Sequence, residues 1–249
     1  MLELKDVIND IVKHTAIGFI EHVKITGSST ETLIDAMDPD RTVILKAKLH
    51  EPIPEFEGEI GFGNLGFLKG LLNLQNYKQE GTSIEVLNRE KNGISFPDHL
   101  LFKDVNGNSD RYRFMSKETI DQVLQTVKFK GAKWDVVVEP TKQKVSELHS
   151  AASIYGGIES NFTLKIDNGD LVVNIGSNTG NFTAKRIFSK DVKGDYKENH
   201  PWPLSKVLTI LNLGMSAKCT MSISKIGALQ ISVDSDIGKY DYILPALTV

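Results

Sequence analysis

Cysteine is nearly absent. Cys219 is the single one in 249 residues, so no internal disulfide can form and a reducing compartment is consistent. It stands in strand-like text at 218–223, where a lone thiol reads as a small core residue rather than a nucleophile. Long apolar runs are missing as well, and nothing approaches the roughly 18 residues of a membrane-spanning helix. The opening Met-Leu-Glu-Leu-Lys-Asp lacks the basic and apolar regions of a secretion signal. The expectation is a cytoplasmic protein with no membrane partner, in which the Asn-Phe-Thr sequons at Asn161 and Asn181 carry little meaning. No sign of charge dominates: 29 Lys+Arg face 32 Asp+Glu, a net charge of −3, which by itself suggests no nucleic-acid partner. His14, His22, His50, His99, His149 and His200 form no His-x-x-x-His pair and no Cys/His cluster, so no metal site is expected. Nor is there a nucleophile elbow or a Walker loop. The chain offers no catalytic constellation, and neither an enzyme nor a cofactor is expected.

What is present is a repeat. The phrase 65–74, Leu-Gly-Phe-Leu-Lys-Gly-Leu-Leu-Asn-Leu, returns at 204–213 as Leu-Ser-Lys-Val-Leu-Thr-Ile-Leu-Asn-Leu. Both have mostly helical apolar spacing and both precede strand-like text. A second pair of stripes, Val7, Ile11 and Ala16 against Val145, Leu148, Ala152 and Tyr155, recurs at nearly the same offset. The chain therefore reads as one unit built twice.

Each half follows the order helix, strands, helix, strands. In the first, an amphipathic helix around Val7–Ala16 precedes strands at 19–26, 32–37 and 42–49. An acidic, proline-marked stretch at 51–59 reads as a solvated connection, and strands at 83–88, 94–96, 100–104 and 111–115 follow the 64–74 helix. Turns are expected at Asn92-Gly93 and Asn106-Gly107. The stretch 117–131 is a connector of mixed character. The second half has strands at 134–139, 162–166, 171–175 and 182–188, with turns at Asn168-Gly169 and Thr179-Gly180. A polar loop at 191–199 leads to Pro201-Trp-Pro203, the fourth helix, and closing strands at 219–224, 228–233 and 240–244. The expected domains are 1–116 and 134–249, joined by 117–133. Residues 1–116 carry 13 Lys+Arg against 18 Asp+Glu, a balance of −5, leaving +2 for 117–249.

Two tandem units of this order, ending in Tyr242-Ile-Leu-Pro-Ala-Leu247, resemble a DNA sliding clamp, a polymerase processivity factor. The match is to the two-domain type of tailed bacteriophages, related to the trimeric eukaryotic nuclear clamp. The resemblance covers nearly the whole chain as an order of elements and has no diagnostic short signature. It implies an α+β fold with antiparallel sheets outside and helices lining a channel around duplex DNA, bound without sequence preference. It also implies a homotrimer, a DNA polymerase partner, an ATP-dependent clamp loader and, for a viral protein, the host cytoplasm.

On this resemblance the DNA-facing residues are Lys13, Lys69, Lys142, His149 and Lys206. The faces opposite the apolar stripes of the second, third and fourth helices carry no acid, whereas Asp6 and Asp10 share the first helix with Lys13. A pocket for partner peptides would use Leu124 and Val127 of the connector with Tyr242, Leu244, Pro245 and Leu247 of the tail. Subunits would meet by pairing edge strands 111–115 and 182–188, with Tyr112, Phe114, Phe182 and Ile187 at the interface. The modest charge suits such a ring, because topology rather than many neutralised phosphates would retain the DNA.

Gly61-Phe-Gly-Asn-Leu-Gly66 satisfies the dinucleotide fingerprint G-x-G-x-x-G ahead of a helix. The preceding residues 55–60 do not read as a buried parallel strand, and the fingerprint is set aside. A β-rich structural protein of a phage tail or baseplate is the alternative, and an enzyme with an unrecognised site is a third reading.

Overall fold

The computed structural model describes residues 3–91, 93–124, 129–176 and 181–248. They form two compact units, one of Met1–Val127 with Ser235–Tyr240 and the other of Lys128–Asp234 with Asp241–Val249.

The first unit opens on α1 (Leu4–Thr15), whose Val7, Ile8, Ile11 and Val12 are buried at the helical spacing that the sequence sets. β1 (Val23–Gly27), β2 (Thr32–Met37) and β3 (Ile44–Leu49) form an antiparallel meander in which buried and half-buried residues largely alternate. The acidic stretch is more than a connection. Ile53 and Phe56 are buried, the Ile53 N–H donates to Thr32 Oγ1 at 2.9 Å, and β4 (Gly58–Phe62) pairs with β1. Apolar residues at 53, 56, 60 and 62 fix the backbone while Glu51, Glu55 and Glu57 stay in water. After α2 (Leu65–Asn73) come β5 (Ser83–Lys91), β6 (Ile94–Lys103) and β7 (Ser109–Arg113). β5 and β6 form one long hairpin with a register shift at Leu87/Asn88, where the sequence suggests shorter strands. Asn92 of its expected turn lies outside the described residues. The connector begins as α3 (Lys117–Val123), capped by the Ser116 side chain, which accepts from the Thr119 N–H. Within this unit the strands run β4-β1-β2-β3 and β5-β6-β7.

The second unit contains β8 (Val136–Val138), α4 (Lys142–Tyr155), β9 (Asn161–Asp167), β10 (Asp170–Ile175), β11 (Ala184–Ser189) and β12 (Pro201–Pro203). It continues with α5 (Leu204–Leu213), β13 (Lys218–Ser224), β14 (Ala228–Asp234) and β15 (Gly238–Pro245). Its strands run β15-β14-β13-β8 and β11-β10-β9-β12. The β9–β10 turn has φ of 53° at Asn168 and 84° at Gly169, the left-handed pair that Asn-Gly supplies. The expected turn at Thr179-Gly180 lies outside the described residues. Ala151, rather than Ala152, joins Val145 and Leu148 on the buried face of α4. The polar loop before β12 is anchored by Tyr196, fully buried beside Trp202, and the Trp202 Nε1–H donates to the Leu244 carbonyl at 3.2 Å. The protein is an α+β fold of antiparallel sheets with few helices.

Candidate nucleic-acid interface

The helices pack in pairs, α1 with α2 in the first unit and α4 with α5 in the second. Lys13 is exposed in the last turn of α1, and Lys69 is exposed on α2, with its Nζ 3.3 Å from the carbonyl of Ala16, the C-cap of α1. A cation there complements the negative end of the α1 dipole and ties the pair together. In the second unit Lys142 is the exposed first residue of α4, and His149 Nε2 lies 2.7 Å from Asn212 Nδ2 of α5. Lys206, the third residue of α5, is half-buried. The structure thus brings Lys13 near Lys69's helix in one unit, and Lys142, His149 and Lys206 onto one helix pair in the other.

Around these cations the exposed faces are poor in acid. α2 and α5 contain none, and Glu147 of α4 is half-buried and paired to Lys144 at 2.6 Å, leaving Gln143, Ser146, Ser150 and Ser153 exposed. The misfit on α1 also shrinks. Asp10 accepts from the Tyr240 hydroxyl at 2.8 Å and from Ser235 Oγ at 2.9 Å, so its carboxylate is used inside the unit, whereas Asp6 stays exposed. His14, one turn on, is buried and stacked on Tyr240 with centroids 4.0 Å apart. Burial lowers its pKa to about 4 despite Asp10 nearby.

The repeat is not equivalent in its cations. α2 begins at Leu65 and α5 at Leu204, so Lys69 corresponds to the buried Leu208, while Lys206 corresponds to Phe67.

The partner-pocket residues divide. Leu124, Tyr242 and Leu244 are core residues, at 5%, 0% and 0% exposure, so their side chains are not available to a peptide, a correction to the sequence reading. Along β15, Tyr240, Tyr242, Ile243 and Leu244 are all buried. Val127 lies outside the described residues. Pro245 is exposed and Leu247 half-exposed, held by the Leu247 N–H on Pro201 O at 2.9 Å and the Ala246 N–H on Gly227 O at 2.7 Å. Ile226, which sequence reasoning missed, is 75% exposed on the turn that Ala246 reaches. A β-branched apolar residue in the turn Lys225-Ile226-Gly227 was the available signal.

The interface residues divide likewise. β7 and β11 are both edge strands of their sheets. Tyr112 and Phe114 point inward, into an aromatic cluster with Phe56 and Phe62, and the Tyr112 hydroxyl donates to Gly63 O at 2.5 Å. Their expected side-chain role is corrected: β7 presents Arg111 and Arg113 instead. Phe182 and Ile187 are exposed, at 57% and 40%. Ile154 and Ile158, unforeseen, are exposed at 70% and 61% on and just after α4, which packs beside β11.

The glycine fingerprint has a packing explanation. β4 is antiparallel to β1, and Met115 exchanges backbone hydrogen bonds with Gly61 at 2.7 and 3.0 Å. A Cβ at Gly61 would lie 2.9 Å from that of Met115, and one at Gly63 2.9 Å from the Met115 sulfur. These glycines admit Met115 and α3, not a pyrophosphate. Cys219 is buried, which pushes its thiol up to about 11, away from nucleophilic use. Among the described residues no group of three or more His, Cys, Asp or Glu could hold a metal, and no helix is long and apolar enough to cross a membrane.

No protein-family model matches the chain, and no curated protein matches it by sequence. Solved structures do. PCNA from Thermococcus kodakaraensis superposes with a TM-score of 0.69 at 11% identity, covering 96% of this chain and 97% of that one. A. fulgidus PCNA, solved with the C-terminal region of FEN-1 bound, gives 0.69 at 9% identity over 99% and 97%. The PCNA2–PCNA3 complex from Sulfolobus tokodaii gives 0.66 at 14% identity over 97% and 96%. At such identities the likeness establishes the fold alone, and it does so over the full chain: this protein is folded as a two-unit sliding clamp is folded.

Proposed function

We propose that the protein is a sliding clamp: a non-enzymatic homotrimeric ring, of bacteriophage type, that encircles duplex DNA and tethers a DNA polymerase. The observation that carries the reading is a full-length clamp fold whose α2, α4 and α5 expose faces without unpaired acid. It favours the clamp over the tail or baseplate reading. In this proposal the domains are 1–116 and 134–249 with 117–133 as connector, and the helices line the channel. Lys13, Lys69, Lys142, His149 and Lys206 face the sugar-phosphate backbone. A few lysines suffice, since a closed ring needs no tight electrostatic grip.

Subunits pair β7 of one copy with β11 of the next, Phe182, Ile187, Ile154 and Ile158 supplying apolar cover. Partner peptides dock on Pro245, Leu247 and Ile226, a role suggested by the bound FEN-1 region of the A. fulgidus neighbour. An ATP-dependent loader opens the ring, in the host cytoplasm if the protein is viral. The test is native mass and shape, followed by loading onto nicked circular DNA. A trimer with a central hole, lost from the DNA on linearisation, is expected. A monomer at micromolar concentration, or retention unaffected by cutting, refutes the proposal.

A further inference from the structure

α2 exposes an apolar face that its own unit leaves open. Phe67 is 57% exposed, and Leu74, the C-cap residue that ends the helix, is 43% exposed. Gly70 lies between them, and a Cβ at Gly66 or Gly70 would meet no atom within 4 Å. Glycine weakens an exposed helix, and no contact inside the unit requires it at either place. The charge of this stretch is one-sided: residues 60–79 contain Lys69 and Lys78, both exposed, and no Asp or Glu, in a half of the chain that is otherwise acidic. The repeat adds a third observation. Where α5 carries Lys206, α2 carries Phe67.

We propose that Phe67 is a stacking platform for unpaired nucleobases, making the exposed face of α2 a binding site for single-stranded DNA. The proposal rests on the reading that α2 faces DNA and adds the state of that DNA. A lysine at this position needs a phosphate. A phenyl ring gains little along a duplex, whose bases are stacked on each other, whereas an unpaired base offers a free π face. The absent side chains at 66 and 70 leave the ring approachable along the helix, and Lys69 stands where the adjoining phosphate would fall. At the N-terminal end of α2 a 380 Å³ cavity is bordered by Glu21 and His22 as well as Asn64 and Gly66. The Glu21 carboxylate disfavours phosphate there and directs the strand toward Lys69. The two exposed lysines of this stretch favour a polyanion over an apolar protein surface.

The test titrates the unloaded full-length protein, by fluorescence anisotropy, with a labelled oligothymidylate and with a duplex of equal length. The expected result is preference for the single strand, with Phe67→Ala weakening that binding about 5- to 100-fold, the range of base–aromatic stacking, and leaving duplex binding unchanged. Phe67→Trp should retain binding, with its fluorescence quenched as bases stack. Gly66→Ala with Gly70→Ala should weaken binding while raising helix stability, which separates loss of the site from loss of the fold. Equal single-strand affinity for wild type and Phe67→Ala, or no single-strand binding by wild type, overturns the proposal. Phe67→Ala that changes only self-association identifies a protein-docking face and overturns it too. Because no ring need be loaded, failure here is distinct from failure of topological retention, which judges the clamp reading.

Discussion

Lowering the pH from about 7.5 to about 5 should destabilise the protein through a single buried side chain, His14. Its ring is fully buried and stacked on Tyr240 at an interplanar angle of 9°, and burial holds its pKa at about 4 against an ordinary 6.5. In the unfolded chain the imidazole takes up a proton near 6.5. Between the two values the unfolded state therefore binds more protons, and folding stability falls as the pH falls. The contribution is complete above the unfolded value and is lost progressively toward about pH 4. At pH 5 the loss is about 2 kcal/mol, from about 1.4 kcal/mol per unit over the interval below 6.5. For a chain of this size that is a fall in Tm of about 4–8 °C. The assay is thermal unfolding by far-ultraviolet circular dichroism at both pH values, on wild type and on His14→Phe, which keeps a ring against Tyr240 and removes the proton. Wild type should lose the stated increment and the variant much less. Equal losses in the two proteins would refute the assignment.

In the second unit, Trp202→Ala removes a fully buried indole and its bond to Leu244 O, and should cost about 3–5 kcal/mol in urea unfolding. Gly27→Ala drives a Cβ onto the Phe56 carbonyl, so a lowered urea midpoint of about 1–3 kcal/mol equivalent is expected. On the proposed function, Lys142→Glu at the exposed start of α4 should weaken the binding of unloaded protein to duplex DNA and flatten its salt dependence, leaving retention on circular DNA and the native mass unchanged.

The duplicated helix was legible because burial imposes a period: Leu65, Leu68, Leu71 and Leu72 are buried as their spacing requires, and so are Leu204, Val207, Leu208 and Leu211. β2 is found at the residues expected, since strict alternation and two bounding turns leave it no other register. The β4 strand was hidden because its sequence is dominated by acids and glycines, and its burial depends on Met115, more than 50 residues away. Which end of a side chain faces water at Tyr112, Phe114 and Tyr242 was equally hidden. Aromatic residues at an edge or terminus look alike whether they meet a partner or their own core, and tertiary packing decides. The unpaired face of α2 was written in plain view, as glycines and a phenylalanine at helical spacing. It acquires meaning once the structure shows that nothing within its unit stands above it.

Tyr240 stacks on His14 and donates to Asp10, and Ser235 donates to the same carboxylate, so the first unit holds a segment translated long after the rest of it. During synthesis, about 110 residues separate the end of the first unit's main stretch from these partners, a wait of roughly 6–20 s at ordinary elongation rates. Over that interval the buried face of α1 has no ring to cover His14. A nascent chain stalled before residue 235 should therefore carry a first unit in which His14 is uncovered, and limited proteolysis should cut α1 faster in it than in a chain that includes 235–240.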